Sequence, residues 1–75
     1  MQGFLTPEQR SELLHELKVE RHAKYSDRIK TILLLDQGIT YQSIALHLFL
    51  YKGTIRNYRK RYVEGGILGL ENDAI

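Results

Sequence analysis

Thr40-Tyr-Gln-Ser-Ile-Ala-Leu-His-Leu-Phe-Leu-Tyr-Lys-Gly-Thr-Ile-Arg-Asn-Tyr58 is the stretch that decides the fold. Thr40 offers a side-chain oxygen to the first free amides of a helix. Ile44, Ala45 and Leu48 then recur at helical spacing on one face. Ala45 is small, as expected where two helices cross closely. After a tight connection a further helix is predicted over about 52–64, where Ile55, Tyr58 and Tyr62 mark one buried stripe. A short helix, a turn and a second helix form the order of a helix-turn-helix unit, whose second helix enters the DNA major groove.

The charges agree with that order. Lys52, Arg56, Arg59, Lys60 and Arg61 all fall on the later helix, and no acidic residue lies between Gln37 and Glu64. Cations so clustered neutralise phosphates and release counterions, the main source of sequence-independent affinity. Arg56 and Asn57 carry the groups that read guanine and adenine through paired hydrogen bonds. Lys52 and Lys60 suit phosphates. With Thr40, Tyr41, Gly53, Thr54, Arg59 and Arg61 they make up the expected contact set, and the expected partner is double-stranded DNA. Gly53 reads equally well as a place of close backbone approach and as a plain poor helix former. Tyr41 is either a phosphate contact through its hydroxyl or a packing residue. Tyr58 and Tyr62 have rings that stack on bases in single-strand binders, but their register with Ile55 assigns them to the core.

Upstream, Leu5-Thr6-Pro7-Glu8-Gln9 announces the first helix: Thr6 as cap, Pro7 at the first helical position and Gln9 completing a capping box. That helix is expected to run to about Val19 or Glu20, with Leu13, Leu14 and Leu17 as its apolar stripe and Glu8, Glu12, Glu16 and Glu20 as an acidic row. The second helix is expected to start near Ser26, with Asp27 beside the positive end of the dipole. It carries Ile29, Ile32, Leu33 and Leu35, and Gly38 ends it in a left-handed conformation. Downstream, Gly65-Gly66 is expected to stop the fourth helix, so that Ile67, Leu68 and Leu70 fold back over the core. The expectation is an all-α domain of four helices over 1–75. It comprises an N-terminal helix and connection (1–25), a trihelical, homeodomain-like unit (26–70) and a frayed tail (71–75).

Composition excludes most other classes. A chain of 75 residues makes one small domain, which buries only about 60–65% of its unfolded surface. There is no cysteine, so disulfides and thiolate metal sites are excluded. The longest aliphatic run, Ile32 to Leu35, is far short of a membrane span, and Met1 to Leu5 lacks the charged start and apolar core of a signal peptide. His15, His22 and His47 have no spacing that makes a metal site. Ser11, Ser26 and Ser43 read as helix-surface or near-cap residues, not nucleophiles. Gly65-Gly66 follows a helix and lacks the lysine of a phosphate loop. No catalytic residue, metal, cofactor, small-molecule substrate or membrane is expected, and the chain is not read as an enzyme. The rival reading is a protein-interaction or dimerisation module built on the Leu13-Leu14-Leu17 stripe. Against it, so small a domain needs every apolar face for its own core. A homodimer stays open under either reading, since two-fold DNA sites are usually met by two-fold proteins.

The pattern Tyr41-x-x-Ile44-Ala45-x-x-Leu48-x-Leu50-x-x-x-Thr54-Ile55-x-x-Tyr58-x-x-x-Tyr62-x-x-Gly65-Gly66-Ile67-x-Gly69-Leu70 resembles the N-terminal helix-turn-helix of bacterial insertion-sequence transposases related to the Tc/mariner superfamily. The likeness covers about Ser26 to Leu70, and the Arg-Tyr-x-x-Gly-Gly-Ile-x-Gly-Leu tail is its most distinctive part. The resemblance implies DNA binding in transposition or in transcription regulation, in a bacterial cytoplasm and at the nucleoid. Such modules usually carry glycine where Phe49 stands and a small capping residue where Tyr51 stands. A bulky residue in left-handed backbone costs roughly 1 kcal/mol or more, so a longer or differently shaped turn is expected here. Relatives usually continue into a second DNA-binding part and an acidic, metal-dependent nuclease domain, which these residues do not supply. The chain is thus expected to be a fragment, a decayed relative or a stand-alone binder.

Overall fold

The computed structural model describes residues 3–20 and 22–71. Four helices follow one another: α1 (Pro7–Val19), α2 (Ala23–Asp36), α3 (Tyr41–Leu48) and α4 (Lys52–Glu71). There is no strand among the described residues, and the domain is all-α. α2 lies at the centre, in contact with α1, α3 and α4, while α3 and α4 pack on each other.

The local signals at the helix ends act as their chemistry requires. Thr6 Oγ1 accepts from the Gln9 N–H at 3.1 Å, and the Gln9 side chain accepts from the Thr6 N–H at 2.9 Å, a complete capping box on α1. Thr40 Oγ1 accepts from the Ser43 N–H at 3.1 Å and so caps α3. α2 ends where Gly38 turns to φ 90, with the Gly38 and Ile39 amides donating to Leu35 and Leu34 carbonyls.

α2 begins at Ala23, three residues before the expected Ser26. Tyr25 is the reason: it is buried at the head of the Ile29–Ile32–Leu33 stripe, one turn before Ile29, and the helix must extend to place it. His22 caps α2 without any side-chain bond, which left no signal to read. Leu35 and Leu34 are half-buried against a second cluster of Ile44, Ala45 and Ile55. On α1, Leu13 is fully buried and Leu17 half-buried, but Leu14 faces solvent, so the expected stripe is narrower by one residue.

The expected stop after 64 is a kink at Gly66, with φ 64 and ψ −150, after which one more helical turn runs to Glu71. Ile67 and Leu70 fold back on the core as expected, whereas Leu68 is exposed. Glu71, assigned to the frayed tail, belongs to that turn, and 72–75 lie outside the described residues. A side chain at Gly69 would bring its Cβ to 2.3 Å from the Arg61 carbonyl oxygen, so the returning chain passes too close for any other residue. At Gly65, by contrast, there is open space for a Cβ.

Both ends of the domain are tied to α2. Asp36 is buried and accepts from the Leu5 N–H at 2.9 Å and from Arg10 Nε at 2.9 Å. Burial works against its charge, but the Leu5 amide and the Arg10 guanidinium outweigh it and hold the carboxyl below the usual carboxylate range. At the other end of α2, Arg28 is buried and donates through Nη1 to the Leu70 carbonyl at 2.7 Å, its guanidinium lying 5.6 Å from the Tyr58 ring centre.

Two outcomes follow. Asp36→Asn is expected to lower stability by about 1–3 kcal/mol at neutral pH, because a charged acceptor of two bonds is lost. Its folded pKa is depressed, so this contribution is present above the unfolded value near ~3.9 and fades as pH falls through the folded one. Urea unfolding of both proteins should therefore give midpoints that converge in acid. Gly69→Ala should cost about 1–3 kcal/mol through overpacking, while Gly65→Ala should be neutral or stabilising; thermal melts compare the two.

Candidate nucleic-acid interface

α3 and α4 are joined by Phe49, Leu50 and Tyr51 alone, and α4 is the second helix of the unit. The turn expected from Phe49 to be longer or differently shaped is instead short and left-handed. Phe49 itself takes the left-handed conformation, φ 58 and ψ 44, and its amide and that of Leu50 both reach the Ala45 carbonyl. Leu50 packs against both clusters of the core, and this anchoring holds the short turn in place. Tyr51 contributes its backbone carbonyl to the Thr54 and Ile55 amides, opening α4 without a capping side chain.

With Ile55, Tyr58 and Tyr62 buried, the opposite side of α4 presents Lys52, Gly53, Arg56, Asn57 and Lys60 to solvent. Lys52, Arg56 and Lys60 follow one another at spacings of four, as do Gly53 and Asn57, so the five share one face. Tyr41 joins them from the start of α3: the Arg56 guanidinium sits 5.7 Å from its ring centre. Tyr41 is half-buried against Ile44, Ala45 and Ile55, so the packing reading of this residue holds, and the same ring supports Arg56. Thr40 is exposed, with its hydroxyl oxygen engaged in the α3 cap, and Thr54 is half-buried. Gly53 has open space where a Cβ would stand, so nothing inside the domain requires glycine there.

The remaining two cations are placed differently. Arg59 is exposed but lies 5.2 Å from the Phe4 ring centre, beside the N-terminal segment. Arg61 turns to the C-terminal turn, donating through Nε to the Gly69 carbonyl at 3.0 Å and through Nη2 to the Leu70 carbonyl at 3.2 Å. Expected among the DNA contacts, this guanidinium is held at the carbonyl end of a helical turn, where it offsets the partial negative charge. Tyr58 and Tyr62 are core residues, and burial, with Glu12 adding, pushes the Tyr62 hydroxyl pKa up.

Arg28, Tyr25 and Asp36 were missed as structural anchors. A cation in the second turn of a helix and an anion at its last residue carry no favourable local signal, and only the tertiary contacts explain them. A hollow of about 450 Å³ lined by Glu20, His22, Lys24, Tyr25, Arg28 and Glu71 carries charges of both signs, and none of the α4 face residues borders it. Among the described residues no group of three histidines or carboxylates is disposed to hold a metal ion. No helix among them is long and apolar enough to cross a membrane.

A central helix, a short helix, a three-residue turn and a basic second helix define the helix-turn-helix class of DNA-binding domains. Residues 22–71 match the family model of the homeodomain-like domain. That is two thirds of the chain, and the protein belongs to this family. No curated protein and no solved structure matches it.

The role of Arg61 in holding the C-terminal turn can be told apart from a DNA contact by experiment. Arg61→Ala should lower stability by about 1–2 kcal/mol through the lost carbonyl bonds. It should leave the salt dependence of DNA binding unchanged, as followed by thermal melting and by titration at two salt concentrations.

Proposed function

We propose that the chain binds double-stranded DNA sequence-specifically, with α4 as the recognition helix. Residues 52–64 lie in the major groove on this reading, and Lys52, Gly53, Arg56, Asn57 and Lys60 face the duplex. The observation that carries it is the exposed, acid-free cationic face on the second helix of a homeodomain-like unit. Arg56 and Asn57 read base edges, Lys52 and Lys60 hold phosphates, and Thr40, Tyr41, Thr54 and Arg59 line the margins. Support of Arg56 by Tyr41 favours binding, because a side chain already placed loses less freedom on contact. Gly53, which the domain itself does not require, suits close approach of the α4 backbone to the groove.

The module serves either as the DNA-binding portion of a transposase or as a small transcription regulator, and in both roles these residues bind and do not catalyse. The N-terminal helix supports this over an interaction module, since Leu13 and Leu17 are spent on the domain's own core. A homodimer is compatible with it and would place a second α4 about 34 Å along the duplex.

A single recognition helix makes few phosphate contacts, so affinity is expected to be about micromolar and steeply salt-dependent. Arg56→Ala should cost roughly 1–3 kcal/mol and relax preference at one base pair, whereas Lys60→Ala should weaken all sequences alike and reduce the salt slope by about one. Fluorescence titrations on duplex DNA, with solution mass measured alongside, test both. Binding left intact after charge reversal at Arg56 and Lys60 together would move the contact to another surface.

A further inference from the structure

The turn into α4 carries two aromatic side chains that neither the core nor the cationic face accounts for. Phe49 holds left-handed backbone, a conformation that glycine or asparagine takes at least cost, yet its side chain is 92% exposed. Tyr51, directly before Lys52, is 86% exposed and gives α4 no side-chain cap. The domain gains nothing from either ring: glycine would make the same turn, and serine would cap the helix. The short turn is held by Leu50 and the Ala45 carbonyl, neither of which needs an aromatic ring at Phe49. A bulky ring kept on left-handed backbone and left in solvent points to a use outside the chain. Both residues lie inside the acid-free run from Gln37 to Val63, and they lead into the helix end that enters deepest into the groove. The apolar group displayed on major-groove base edges is the thymine C5-methyl, and side chains such as Phe contact it.

We propose that Phe49 and Tyr51 are specificity-determining residues that pack on thymine C5-methyl groups of the bound duplex. This rests on α4 being the recognition helix. Arg56 and Asn57 then select purines by hydrogen bonding, while the two rings select thymine by removing its methyl from water. The preference they add is independent of salt, unlike the phosphate contacts of Lys52 and Lys60.

The experiment uses the whole chain and three duplexes of equal length: alternating adenine–thymine, the same with uracil replacing every thymine, and alternating guanine–cytosine. Uracil removes the methyl and leaves charge and hydrogen-bonding edges unchanged. The wild type should bind the thymine duplex about fourfold tighter than the uracil duplex for each methyl buried. Tyr51→Ser and Phe49→Asn should bring that ratio towards one with an unchanged salt slope. Phe49→Asn should melt no lower than wild type, since asparagine tolerates the left-handed turn. A wild-type ratio of one with salt-dependent duplex binding overturns this inference and leaves the α4 reading standing. So does a ratio that survives in both variants, or tighter binding to single-stranded oligothymidine, which would assign the rings to base stacking. Absence of binding to all three duplexes at low salt overturns the recognition-helix reading, and this inference with it.

Discussion

Two buried charges on one helix organise the domain. α2 carries Arg28 near its start and Asp36 at its last residue, and each reaches a different end of the described chain. Asp36 takes the Leu5 amide and Arg10, fixing the N-terminal segment and α1; Arg28 takes the Leu70 carbonyl, fixing the turn beyond Gly66. Both charges oppose the α2 dipole, so their positions cost something locally and are stable only because the partners are in place. Removing a partner would leave a buried charge uncompensated, which is more costly than never having buried it. In a domain this small, where one core cannot supply much stability, such ties decide whether the ends are ordered.

The tie at the C-terminal end also divides the arginines of α4. Arg61 and Arg28 converge on the Leu70 carbonyl, and Gly69 lets the chain come back close enough for Arg61 to reach it. Arg56 stands on the other side of the helix, supported by Tyr41 from α3. Residues of one type, five positions apart on one helix, thus serve the fold in one case and the proposed contact with DNA in the other. The face left for DNA is what remains after Ile55, Tyr58 and Tyr62 have gone into the core and Arg61 has turned to the returning chain.

The turn between α3 and α4 shows which constraint prevails when local and tertiary preferences conflict. A phenylalanine in left-handed backbone costs roughly 1–2 kcal/mol. Leu50, one residue later, packs against both clusters of the core, and burying an aliphatic side chain is worth about 1.5–3 kcal/mol when complete. Leu50 is only half-buried, so the two terms are of similar size; the Ala45 carbonyl, which accepts from the amides of both Phe49 and Leu50, adds to the side that keeps the turn short. The crossing of α3 on α4 is preserved, and the aromatic side chains of Phe49 and Tyr51 are left outside.

Local chemistry alone determined where α1 and α3 begin, where α2 ends and where α4 is interrupted. Thr6 with Gln9, Thr40, Gly38 and Gly66 act through groups within a few residues of themselves, so their roles were legible in the chain. So were the stripes Ile29–Ile32–Leu33 and Ile55–Tyr58–Tyr62, because helical periodicity needs no knowledge of what covers it. The exposed cationic face of α4 followed directly from that second stripe. The tertiary structure alone decided the start of α2, since Tyr25 is drawn into the helix by a core it meets only after folding. It also decided the roles of Arg28, Asp36 and Arg61. Each of these depends on partners 8 to 42 residues away, and a charged side chain gives no advance sign of whether it will find a carbonyl, a carboxylate or water.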